Sequence, residues 1–94
     1  MQFLSPRIHL DPRHFESYKN IDWLFAQRGE WDAIIAHWTR YIALEPMSGQ
    51  AYLERGGAYH RKGDEKAAVA DAQKSCALGA ARACEIIGHK TAAQ

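Results

Sequence analysis

The residue types that can do chemistry in this chain are two cysteines, five histidines and a few serines and glycines. Cys76 stands two residues before Leu78-Gly79, and Cys84 about one helical turn into the segment that follows. In an antiparallel helical hairpin such positions can face each other at disulfide distance. Three readings stay open at this point: a bridge, two thiols serving as small buried hydrophobes, or a reactive or metal-binding dithiol, which the spacing disfavours because it is not C-x-x-C. Among His9, His14, His37, His60 and His89 no pair has the i, i+4 spacing that puts two imidazoles on one helix face, and no H-E-x-x-H occurs. They read as ordinary exposed or partly buried histidines, with His60 the one to watch on the groove side of its helix. Ser5, Ser17, Ser48 and Ser75 fall in helical or capping contexts, and no G-x-S-x-G is present. Gly56-Gly57 lacks the Lys-Ser/Thr of a phosphate loop and reads as a place where helices cross closely. Neither a catalytic centre, a metal site nor a cofactor site is expected.

The composition agrees. Ninety-four residues make one domain with a modest core, and a charged fraction of 24% is that of an ordinary globular chain. A net charge of +1 lacks the basic stripe of a nucleic-acid binder. No run of 18 apolar residues exists, so no membrane insertion is expected. Pro6, Arg7 and Pro12 break up the start of the chain, which does not read as a secretory signal.

The elements that must position these residues repeat. Leu10-Asp11-Pro12 returns as Leu44-Glu45-Pro46 and, degraded, as Leu78-Gly79-Ala80, each step being 34 residues. Gln27-Arg28-Gly29-Glu30 returns as Arg61-Lys62-Gly63-Asp64, and Tyr18, Phe25 and Ile35 return as Tyr52, Tyr59 and Val69. Trp31, Ile34, Ile35, Trp38, Tyr41 and Ile42 recur at helical spacing, as do Tyr18, Ile21, Leu24 and Phe25. Gly29 and Gly63 suit left-handed helix ends, Ser48 and Asp64 suit N-caps, and Asp11-Pro12 suits a helix start. These signals predict helices at about 13–28, 30–44, 49–62, 65–78 and 81–90. Bulky Trp31, Trp38 and Tyr41 complement small Ala67, Ala68, Ala70, Ala72 and Ala77, and Ala83, Ile86 and Ile87 would turn inward to close the end.

On these residues the chain resembles the tetratricopeptide repeat family. Tyr52-Leu-Glu-Arg-Gly-Gly-Ala-Tyr59, Lys62-Gly-Asp64 and Ala67-Ala68-Val69 form one copy; Tyr18, Ile21, Phe25, Gly29, Trp31, Ala33, Ile34, Trp38 and Pro46 form another. The resemblance covers about residues 13–80 and implies an all-α fold, a right-handed superhelical stack of two helical hairpins (about 13–46 and 47–80) with a C-terminal capping helix at about 81–90. Residues 91–94 would be a tail, and 1–12, with Phe3, Leu4, Ile8 and Leu10, an N-terminal segment or the remnant of a preceding repeat. Four positions depart from the family pattern: Asp22 where a small residue is usual, Ile34 for alanine, Arg55 for leucine and Ala80 for the closing proline. Ser75-Cys76 with Ala83-Cys84 is similar to the Sel-like, cysteine-rich relatives, whose paired cysteines are bridged. That resemblance implies a Cys76–Cys84 disulfide and an exported or periplasmic chain; free thiols would place it in the cytoplasm.

The resemblance also implies a concave groove lined by the first helix of each hairpin. Here that gives Glu16, Lys19, Asn20, Trp23 and Gln27, then Gln50, Leu53, Glu54, Gly57, His60 and Arg61. Lys19 matches one place of the family's carboxylate clamp, but Trp23 and Glu54 stand where the clamp has asparagines, so a chaperone tail is not the expected ligand. The expectation is a non-enzymatic protein–protein interaction module, a scaffold or assembly adaptor without cofactors. It would hold a peptide or helix against Trp23 as anchor, with Lys19, Asn20, His60 and Arg61 giving polar selectivity. The alternative is a self-assembling solenoid unit that forms homo-oligomers through its uncapped N-terminal face.

Overall fold

The computed structural model describes residues 15–92. Their regular structure is five helices: α1 Phe15–Gln27, α2 Trp31–Leu44, α3 Gly49–Lys62, α4 Glu65–Ala77 and α5 Ala81–Ala92. The chain is all-α, with no strand among the described residues, and each helix packs mainly on its neighbours in sequence. The expected Asp11-Pro12 start, the apolar residues Phe3 to Leu10 and the segment 1–12 lie outside the described residues. The last helix runs to Ala92, two residues past the expected end at about 90.

Local chemistry sets the ends. The Ser48 hydroxyl accepts from the Ala51 N–H, and the Asp64 carboxylate from the Ala67 N–H, each at 3.2 Å. Helices α1, α3 and α4 close on Gly29, Gly63 and Gly79, with φ of 68°, 96° and 99°. Each closure uses the same pair of bonds: Gly29 and Glu30 donate to Ala26 and Phe25, Gly63 and Asp64 to His60 and Tyr59, Gly79 and Ala80 to Cys76 and Ser75. The third of these closures needs an N–H at residue 80. The Ala80 N–H donates to the Ser75 carbonyl at 3.1 Å, a bond that a proline at 80 has no hydrogen to make.

The two hairpins are filled differently. Between α1 and α2 aromatic rings do the packing: Trp38 is fully buried, with Phe15, Tyr18 and Tyr41 centred 5.0, 5.4 and 5.4 Å from it. Between α3 and α4 the fill is backbone proximity. A Cβ on Gly56 would lie 3.1 Å from the Asp71 Cβ and 3.3 Å from the Ala68 carbonyl oxygen, closer than ordinary contact, so the tight crossing favours a residue without a Cβ there. Ala51, Ala58, Ala68, Ala72 and Ala83 are buried, and Ile86 and Ile87 half-buried. Three expected core residues, Leu24, Ala70 and Ala77, are instead exposed. Polar side chains also tie the helices. Arg55 donates through Nε and Nη2 to the two Asp71 oxygens, both at 2.8 Å, and through Nη1 to Thr39 of α2 at 3.1 Å. The Ser75 hydroxyl donates to the Gly49 carbonyl at 2.6 Å. No described helix is long and apolar enough to cross a membrane.

Candidate partner-binding groove

Three cavities share Gly57 in their lining. The first, about 330 Å³, lies between α1, α2 and α3 and is lined by Lys19, Asp22, Trp23, Trp31, Glu54, Gly57 and Arg61, among others. The second, about 440 Å³, joins Lys19, Gln50, Leu53, Glu54 and Gly57 to Ala80, Ala81 and Arg82 at the start of α5. The third, about 320 Å³ and mainly apolar, lies between α3, α4 and α5, with Leu53, Gly56, Gly57, Val69 and Ile86 on its walls and His60 and Glu65 at its edge.

Trp23 presents 63% of its surface, which marks it as an open apolar platform rather than a core residue. Lys19 reaches Glu54 at 3.7 Å across the α1–α3 boundary, and the Arg61 guanidinium sits 5.3 Å over the Trp31 ring. His60 is paired with Glu65. No protein-family model matches the chain, and none of the curated proteins matches it.

Below Trp23 and Lys19 the groove has an acidic floor. The Asp22 Oδ2 accepts the Trp38 indole N–H, while Oδ1 is buried without a hydrogen-bond partner among the described residues. Burial is the main cause that pushes the Asp22 carboxyl up to about 7; the Trp38 bond opposes it, the nearby Glu54 adds to it, and Lys19 works against it. His37 lies against the Tyr18 ring at 4.2 Å, and burial lowers its pKa, with Arg40 lowering it further and the Tyr18 backbone opposing.

Of the residues assigned to the groove, Lys19, Trp23, Gln50, Leu53, Glu54, Gly57, His60 and Arg61 line one or more of these cavities. Glu16, Asn20 and Gln27 are exposed and line none of the three. Sequence reasoning missed Trp31 and Asp22 as lining residues, having placed one in the core and the other at a helix crossing. It missed Arg82 because the last helix reads as a lid, whereas its first turn forms the end wall.

The Cys76 and Cys84 sulfurs are at bonding distance, 2.04 Å, with Cα atoms 4.6 Å apart. Cys84 is exposed and Cys76 only half-buried, so the pair does not fit two thiols filling a core. Among the described residues no group of three or more His, Cys, Asp or Glu side chains is placed to hold a metal ion. His9 and His14 lie outside the described residues.

Proposed function

We propose that the chain is a tetratricopeptide-like, non-enzymatic interaction module whose groove holds a peptide or helix of a partner protein, as a scaffold or assembly adaptor. The observation that carries this reading is the exposed Trp23 standing beside Lys19, Glu54 and Arg61 on one open cavity. An aromatic platform ringed by charges of both signs is the make-up of an interface anchor. Fold alone names no ligand; the reading rests on the side chains. The bonded position of Cys76 and Cys84 supports an oxidising, exported setting.

The test is capture of a partner with the intact chain and with Trp23→Ala, followed by affinity measurement for the partner found. Loss of at least about 1 kcal/mol of binding with unchanged helicity supports the anchor role; equal affinity removes it.

A second reading is self-association, and its supporting observation is Leu24, 54% exposed on the first described helix. Light scattering over a wide concentration range separates the two. A strict monomer ends this second reading, and an oligomer dispersed by Leu24→Glu supports it.

A further inference from the structure

Gly57 lies in the interior of α3, where a glycine costs about 1 kcal/mol relative to alanine. Its neighbour Gly56 sits where the α4 crossing leaves little room for a Cβ. Gly57 does not: a Cβ built there meets nothing within 4 Å, the residue is exposed, and its φ is not in the left-handed region. Nothing among the described residues therefore uses the missing side chain. What it leaves is bare backbone in the lining shared by all three groove cavities.

The charges around that point are biased. Lys19 of α1, Arg61 of α3 and Arg82 of α5 each line a cavity that includes Gly57. Against them stands Glu54, already 3.7 Å from Lys19, with Asp22 largely buried beneath. Glu65, at the edge of the third cavity, is bound by His60. The first turn of α5 carries no acidic side chain, so the positive end of that helix adds to the same field.

We propose that the groove takes an acidic amphipathic helix of a partner protein, its backbone crossing over Gly57. Its carboxylates meet Lys19, Arg61 and Arg82, and its apolar side enters the cavity walled by Leu53, Val69 and Ile86. A bare glycine lets a second helix approach closely, and a groove with three cations from three helices favours carboxylates on whatever approaches. This rests on the interaction-module reading and names the occupant of the same groove.

The test uses the full chain and acetylated, amidated amphipathic peptides of about 18 residues, long enough for a five-turn helix. One carries glutamates on its polar face, the second glutamines and the third lysines; blocked ends remove any terminal carboxylate. Anisotropy titration should show the glutamate peptide binding at least about tenfold more tightly than the glutamine one, with the advantage shrinking as salt rises. Arg82→Glu should erase that advantage, and Gly57→Leu should abolish binding while circular dichroism and melting show an intact helical fold. Equal binding of the three peptides, preference for lysines, no binding at all, or full binding to Gly57→Leu overturns the acidic helix. The groove reading itself is judged separately, by whether a captured natural partner is lost with Trp23→Ala.

Discussion

Asp22 Oδ1 and His37 Nε2 face each other at 3.7 Å across the α1–α2 boundary, and neither has a hydrogen-bond partner among the described residues. With no proton between them two lone pairs would oppose each other; one proton makes the contact favourable. The pair therefore ties the packing of the aromatic hairpin to pH.

The direction follows from the two shifts. Asp22, raised from 3.8 to about 7, keeps a proton in the folded chain that the unfolded chain releases, so its contribution is lost as pH rises through 7. His37, lowered from 6.5, works oppositely, because the unfolded chain gains a proton below that pH which the folded chain resists. Below pH 6.5 the two slopes oppose each other wherever both groups differ in protonation between the folded and unfolded chain, and above it Asp22 alone acts, so stability falls before levelling. Asp22→Asn, whose amide can donate to His37 while its oxygen accepts from Trp38, should gain on the parent as pH rises from 4 to 7 and be the more stable form at pH 8. Thermal unfolding at pH 5 and pH 8 checks this; a difference between the two proteins that ignores pH would sink it.

Arg55 and Asp71 are the counterpart in the second hairpin, with Asp71 nearly buried and the carboxylate holding the guanidinium charged. Arg55→Ala should cost about 3 kcal/mol, since removing one partner strands a largely buried carboxylate. Arg55→Leu combined with Asp71→Ala should recover most of that loss, a non-additivity that urea titration of the single and double variants reads directly.

The adjacent glycines should respond with opposite sign. Gly57→Ala should stabilise the chain by about 0.5–1 kcal/mol through helix propensity alone. Gly56→Ala should destabilise it, because its Cβ meets the Asp71 Cβ and the Ala68 carbonyl at 3.1 and 3.3 Å. Melting temperatures of the two variants decide the matter.

The bridge between Cys76 and Cys84 closes a short loop, eight residues apart in sequence. Its removal by reductant or by a double serine replacement should lower stability by about 2–3 kcal/mol. Intact mass after alkylation without reductant should show no adduct; two adducts would refute the bridge.

The helices were legible because their end signals are local. Ser48, Asp64, Gly29 and Gly63 carry their own hydrogen-bonding chemistry, and the 34-residue period sets them in register. The polar ties were not legible as pairs. Asp22 and Arg55 stood out as polar residues at positions the family pattern keeps small or apolar, but their partners Trp38 and Asp71 sit on the facing helix. Both bonds span 16 residues, the offset between facing turns of one hairpin, and that spacing is the signal that finds them. Leu24 misled because helical spacing defines a stripe without saying how wide a neighbour covers it. Arg82 was hidden because a capping role was assigned to a whole helix, whereas only part of it caps.

Arg82 lies within the ring that the sulfur bond closes. Cleaving that bond slackens the chain on both sides of Arg82 and leaves the aromatic hairpin of Trp38 untouched. Reduction should therefore loosen the end wall of the groove as it lowers stability, so grip on a partner and resistance to unfolding would fall together.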